Sequence, residues 1–272
     1  MAGAFLDTAV AIAREAGSLL LHYYERRPAF ELKGEHDLVT AADRASEALI
    51  VERLKSHFPT HAILGEETGD HAASSDYRWY VDPLDGTTNF AHSYPMWNVT
   101  LGLEQAGRLI CGVVYDPLRD ELFSAERGAG AYLNNRRIHV SKTARLQDSL
   151  LCTGFPSRRR HESINVHFFH QAAMVTHGVR RAGAAALDLA YVAAGRLDGF
   201  WEFGLNPWDM AAGTLLILEA GGAASNMRGE PFSVKGPHLV VSNGLIHSEM
   251  LGLFGEVFQG QYRVPLPTVN AK

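Results

Sequence analysis

The chain has 272 residues, a formal net charge of −5 and 46% hydrophobic residues, which excludes a disordered chain and suits one large folded unit. The acidic balance gives no electrostatic footprint for nucleic acid or an anionic membrane. Two cysteines, Cys111 and Cys152, are too few for a disulfide framework or a zinc site, which implies a reducing, cytoplasmic setting.

From Ala4 to Tyr24, the residues Phe5, Ala9, Ile12, Ala16, Leu19 and Tyr23 recur at the spacing of an amphipathic helix. Asp7, Arg14 and Glu15 break its apolar character, against a signal peptide or membrane span. Residues 30–37 are polar and contain Gly34, the composition of a hairpin or loop. Leu38 to Asp43 opens a second helix running to about Phe58, and Thr40 with Asp43 matches a Thr-x-x-Asp capping pattern. His61 to Leu64 reads as a short strand ending in Gly65-Glu66-Glu67, and an irregular stretch follows up to Tyr77.

The apolar run Trp79-Tyr80-Val81 then ends on two acids, Asp82 and Asp85, with Gly86-Thr87-Thr88-Asn89-Phe90 directly behind them. Carboxylates able to hold a cation thus stand beside free backbone N–H groups of a helix start, which suit an anion. Ordinary turn chemistry accounts for the Asp-Gly-Thr step as well.

Beyond Pro95 the pattern changes to strands: Asn98 to Glu104, Leu109 to Tyr115, Glu121 to Ala125, and a hairpin over Ala131 to Val140 turning at Asn134-Asn135. This is an antiparallel meander. Ser149 to Thr153 starts the second half. Arg158-Arg159-Arg160 is an anion contact or a solvated surface run. Helices are expected over Glu162 to Thr176, from the small-residue run Ala182 to Ala186 through Ala194, over Met210 to Ala220, and over His247 to Phe258. Strands are expected at Val179 to Arg181, Leu197 to Glu202, Ala223 to Asn226 and Leu239 to Ser242, and the tail from Gln259 is read as loosely held. The order suits a layered α+β arrangement in one domain, 1–272, with halves at about 1–145 and 146–272.

Four blocks of this chain resemble the inositol monophosphatase family of magnesium-dependent, lithium-sensitive sugar phosphatases. They are Gly65-Glu66-Glu67, Asp82-Pro83-Leu84-Asp85-Gly86-Thr87-Thr88-Asn89-Phe90, Ala182-Gly183-Ala184-Ala185-Ala186-Leu187, and Glu202 with Pro207-Trp208-Asp209. Lys33 and Leu38 to Asp43 also match. The resemblance implies a five-layered αβαβα sandwich and a homodimer. It implies magnesium ligands at Glu67, Asp82, the Leu84 carbonyl, Asp85 and Asp209, for two Mg²⁺ ions and a third, weaker one sharing Glu67.

By the same resemblance, Thr87 orients an attacking water, Asp43 supports Thr87, and Glu67 serves as base. The Gly86 and Thr87 N–H groups hold phosphate, and Lys33 adds positive charge. Glu202, the Ala185 amide, Asp85 and Asp209 meet the polyol, on a substrate loop formed by Gly183, Ala184 and Ala185. Ala184 replaces a hydroxyl residue found in some relatives, so one side-chain contact is missing. The implied activity is hydrolysis of myo-inositol 1-phosphate by direct water attack. Histidinol phosphate, a nucleotide bisphosphate and fructose 1,6-bisphosphate are the alternative substrates. The other class of function is a regulatory protein of RNA or transcription on the same fold.

Overall fold

The computed structural model describes residues 2–26, 30–34, 37–156 and 162–266. In chain order the elements are α1 (Ala2–Glu25), β1 (Phe30–Gly34), β2 (Asp37–Thr40), α2 (Ala41–His57), β3 (Ala62–Gly65), β4 (Gly69–His71), β5 (Tyr77–Asp85) and α3 (Thr87–Ala91). There follow β6 (Asn98–Gln105), β7 (Arg108–Asp116), β8 (Glu121–Glu126), β9 (Gly130–Leu133), β10 (Arg136–Ile138) and β11 (Leu150–Thr153). The chain continues through α4 (Asn165–Val175), β12 (Gly178–Arg180), α5 (Ala185–Ala193), β13 (Gly199–Phe203), α6 (Pro207–Glu219), β14 (Ala223–Ser225), β15 (His238–Ser242) and α7 (His247–Phe258).

Two sheets organise these elements. The larger runs β10-β9-β8-β7-β6-β5-β3-β4, and the smaller runs β12-β11-β13-β15-β14. The meander from β5 to β10 is antiparallel as expected, and β3 joins it parallel to β5. The polar segment after α1 is a hairpin, β1 against β2. The stretch expected to be irregular before Tyr77 contributes the short edge strand β4.

Strand alternation explains the layers, because successive side chains point to opposite faces. Trp79 and Val81 of β5 pack on one side, with Ala9, Ile12, Ala16 and Leu20 of α1 and Ile50 and Leu54 of α2. Tyr80 points to the other side, where α5 and α6 bring Leu187, Ala190, Leu215 and Leu216. The same two helices meet Cys152, Phe200 and Val241 of the small sheet. The neighbouring residues Leu151, Trp201 and Val240 face outward onto Phe168 of α4 and Leu253 and Phe254 of α7. The stack is therefore helix, sheet, helix, sheet, helix, the αβαβα sandwich. Both sheets are covered on both faces, and each large aliphatic or aromatic side chain so buried contributes roughly 2 kcal/mol. Among the described residues, no helix is long and apolar enough to cross a membrane.

One further detail departs from the sequence reading. The stretch after α7 is held as far as Val264: Arg263 pairs with Glu256 at 2.6 and 2.7 Å. Val264 exchanges hydrogen bonds with the Gln171 side chain at 2.7 and 3.1 Å. The Arg158 to Arg160 run lies outside the described residues.

His247, at the start of α7, places Nε2 2.9 Å from Ser225 Oγ and Nδ1 3.0 Å from Ser242 Oγ, and burial lowers its pKa. The unfolded chain therefore takes up a proton near pH 6.5 that the folded protein resists. Stability is full above that value and falls as pH drops through it. His61, also lowered by burial, adds to the trend. The His247→Gln variant is expected to show a flatter decline of Tm between about pH 6.5 and 5 than the wild type; parallel declines in thermal melts would refute this.

Candidate active site

β5 ends in an irregularity that builds the site. Its pairing with β6 runs Asp82↔Thr100 and then Asp85↔Asn98, so three steps on β5 match two on β6. Pro83 has no N–H to give the ladder, and a bulge forms there. In a regular strand, residues three apart face opposite ways. The extra residue turns Asp85 back, so both acids line one cleft of about 530 Å³ between the halves of the stack. Gly86 follows at φ 91°, a left-handed conformation that glycine adopts without strain. A Cβ there would lie 2.8 Å from the Met96 carbonyl oxygen.

Thr87 opens the short helix α3 and donates its hydroxyl toward Asp43 Oδ1 at 2.9 Å, with the Leu84 carbonyl a second acceptor at 3.1 Å. Asp43 lies wholly buried behind it. Its other oxygen accepts from the Thr40 N–H at 2.8 Å and the Thr40 hydroxyl at 2.6 Å. The capping box of α2 and the Thr87 support thus share one carboxyl group.

Asp85 joins the halves. Its carboxyl accepts from Asn98 Nδ2 at 2.7 Å, from the Ala186 N–H at 2.8 Å and from the Ala185 N–H at 3.2 Å. The last two are the first amides of α5, where a negative group is favoured. The Ala185 amide expected to meet a polyol is therefore engaged by Asp85. Asn89 fastens the same loop from α3, with Nδ2 2.9 Å from the Ala182 carbonyl and 2.7 Å from that of Met96. From α6, Asp209 accepts from the Asn206 N–H at 2.7 Å.

Of the residues singled out from sequence, Asp82, Leu84, Asp85, Gly86, Thr87, Gly183, Ala184, Ala185, Glu202 and Asp209 all line the cleft. Glu67 does not; Glu66 stands there instead. The reason is alternation: Leu64 shares the Tyr80 face toward α5 and α6, while Ile63 faces α1 and α2. The Glu66 N–H continues the ladder to the Val81 carbonyl at 3.2 Å, keeping Glu66 in step with Asp82. Glu67 falls on the other side, where its charge acts on Arg44 of α2. The carboxylate expected at 67 thus moves by one residue, and the third ion expected there has no cleft-facing acid at that position. Lys33 lies in β1, and its side chain is outside the described part.

Asp188 of α5 also lines the cleft, almost wholly buried, and was not anticipated. A lone acid inside the apolar run Ala184 to Ala194 was the available signal. Arg181 brings a cation to the rim.

Burial dominates the electrostatics. It pushes the Asp82 carboxyl well above its usual range, and the charges of Glu66, Asp85 and Asp209 add to it. Asp85 is pushed up to about 6 by burial, against the opposing effect of its donors Asn98, Ala186 and Ala185. Burial raises Asp209 too, opposed by the Asn206 bond and reinforced by Glu66 and Asp85. Glu202 and Asp188 are likewise raised, first by burial and then by neighbouring acids, with Arg181 opposing. Carboxyls that repel one another in a desolvated cleft favour protons or a cation.

The donor set is entirely oxygen, the chemistry of magnesium. Among the described residues, no three His, Cys, Asp or Glu side chains form a ready-made metal cage. An open set still suits magnesium, which keeps several waters and needs few protein ligands.

The sequence profile of the inositol monophosphatase family matches residues 3–259. Nus factor SuhB of Pseudomonas aeruginosa is 48% identical over 246 residues, covering 88% of this chain and 91% of that protein. Inositol-1-monophosphatase of Synechocystis is 45% identical over 249 residues, covering 90% and 87%. The crystal structure of extragenic suppressor protein suhB from Bartonella henselae superposes with a TM-score of 0.88 at 40% identity, covering 92% of this chain and 98% of that one. Sequence, layer order and cleft agree: the chain belongs to the inositol monophosphatase family.

Proposed function

We propose that this protein is a Mg²⁺-dependent phosphatase that hydrolyses polyol phosphate monoesters, with myo-inositol 1-phosphate as its principal substrate. The observation that carries this reading is the convergence of Glu66, Asp82, Asp85 and Asp209 on one cleft beside the Thr87–Asp43 pair. Magnesium held by those four carboxylates and the Leu84 carbonyl would polarise the phosphate and acidify a water.

The protein's own groups do the rest. Because the Thr87 hydroxyl donates to Asp43, its oxygen lone pairs stay available to a water proton. Thr87 thereby holds the water in line, and Asp43, fixed twice by Thr40, keeps the hydroxyl from rotating. Glu66 takes over the part expected of Glu67 as the nearby carboxylate able to receive the water's proton. The N–H groups of Gly86 and Thr87, at the start of α3, would receive the phosphate oxygens. Glu202 and Asp188, which also line the cleft, are hydrogen-bonding partners for ring hydroxyls. Ala184 is buried and offers no hydroxyl, so substrate choice rests on the acids and Arg181.

A phosphate-release assay tests the reading with myo-inositol 1-phosphate, glycerol 2-phosphate, histidinol phosphate and fructose 1,6-bisphosphate, before and after chelation. Release is expected with Mg²⁺, fastest for the inositol ester, absent after chelation and lowered by Li⁺. No Mg²⁺-dependent release from any of these would overturn it.

The likeness to Nus factor SuhB favours a second reading, a part in a transcription complex. That role alone leaves the cleft unexplained, since holding a protein or RNA needs no set of buried, mutually repelling carboxyls. The net charge of −5 also weighs against direct RNA contact.

A further inference from the structure

α2 presents three buried polar side chains at spacings of three and four, Asp43, Ser46 and Glu47, which a helix places on one face. Each grips a different segment that borders the cleft. Asp43 takes the Thr87 hydroxyl, and Ser46 donates to the Pro83 carbonyl at 2.9 Å, inside the bulge. Glu47 holds the third piece: Oε2 accepts from the Glu67 N–H at 2.8 Å, and Oε1 accepts from the Thr68 N–H at 2.7 Å and from the Thr68 hydroxyl.

Glu47 is wholly inaccessible to solvent, so three donors are what a carboxyl at that depth requires. Gly65 makes room for it, since a Cβ at that position would collide with the Glu47 carboxyl. The contact continues outward. Thr68 Oγ1 lies 2.7 Å from His71 Nε2, and Lys55 Nζ lies 3.4 Å from His71 Nδ1. The tautomer with a proton on Nε2 lets Lys55 donate to His71, His71 to Thr68 and Thr68 to Glu47.

A carboxyl that takes both amides of one dipeptide step dictates the backbone of that step. With the N–H groups of Glu67 and Thr68 turned toward α2, the preceding side chain, Glu66, is turned into the cleft. We infer that Glu47 is a positioning residue for Glu66, holding that carboxylate in the orientation that binding a divalent cation requires. The inference rests on the phosphatase reading, because it takes Glu66 as a magnesium ligand.

Calorimetric titration of Mg²⁺ into the metal-free protein tests it without relying on turnover. Glu47→Gln keeps the shape but turns an NH₂ group toward an N–H donor. It is expected to raise the Kd for Mg²⁺ roughly ten- to hundredfold, the cost typical of losing an outer partner of a metal ligand. Thr68→Val, at an exposed position, removes one of the three donors to Glu47 and is expected to shift the Kd in the same direction by less. In a Glu66→Gln background, Glu47→Gln should add little, because the two residues act through one carboxylate. An unchanged Kd in Glu47→Gln, or full additivity with Glu66→Gln, would overturn the positioning role. If the wild type bound no Mg²⁺, the phosphatase reading would fall with it; tight wild-type binding matched by Glu47→Gln would remove the positioning role alone.

Discussion

Glu66→Gln is expected to lower kcat/KM by at least about 100-fold, more than the loss of an outer-shell partner usually costs, while Glu67→Gln changes it by less than about threefold. The first figure corresponds to roughly 3 kcal/mol of lost transition-state stabilisation. The contrast follows from placement. Glu66 lines the cleft and its charge acts on Asp82 and Asp209, whereas Glu67 acts on Arg44 at the outer face of α2. Glutamine keeps the size and removes the charge, so the pair compares two faces of one strand end. Steady-state kinetics at saturating Mg²⁺ decide it. Equal losses in both variants, or a loss confined to Glu67→Gln, would restore the assignment first drawn from the Gly-Glu-Glu block.

Asp85→Asn is expected to reduce kcat/KM about 10³-fold, the upper end of what one preorganised electrostatic group is worth. Asp85 faces the cleft and also collects the first amides of α5 and the Asn98 side chain. An asparagine offers one acceptor oxygen and turns an NH₂ group toward one of those donors. The variant therefore loses a ligand charge and loosens the substrate loop together.

Its stability should move differently from its activity. The folded Asp85 carboxyl is raised from 3.8 to about 6, so the folded state holds this proton more tightly than the unfolded chain does. The stabilising contribution is full below about pH 4 and is lost as pH climbs through about 6. Metal-free Asp85→Asn should accordingly show a weaker fall of Tm over that window than the metal-free wild type. A variant with near-normal activity, or an unchanged pH slope, would contradict the role assigned to this carboxyl.

Much of the fold is legible in the sequence because burial leaves a period. The three- and four-residue spacing of Ala9, Ile12, Ala16 and Leu19 marks α1, although the packed helix buries the adjacent Leu20 more deeply. Turn residues such as Asn134 and Asn135, at φ 47° and 63°, mark the ends of strands in the meander. His247 to Phe258 reads as a helix and forms one over those same residues. Less visible were β4, too short to carry a pattern, and the stretch beyond α7, whose partners on Gln171 and Glu256 are invisible until the layers stack.

The site divides in the same way. Sequence alone determined that Asp82, Asp85 and Thr87 share one short stretch between a strand end and a helix start, while the bulge at Pro83 that turns both acids to one face emerged from the pairing of β5 with β6. It also determined that Thr40 and Asp43 cap α2, since those bonds are local. Only the tertiary structure decided which glutamate of Glu66-Glu67 meets the acids of β5, because that depends on which sheet face covers α5 and α6. It alone brought Asp209, Glu202 and Asp188 across from the other half, and it alone turned Glu47 onto the loop that aims Glu66. A chain states residue types and their local geometry; the packing of sheet on helix decides which carboxyls share a desolvated cleft, and that sharing sets their charge.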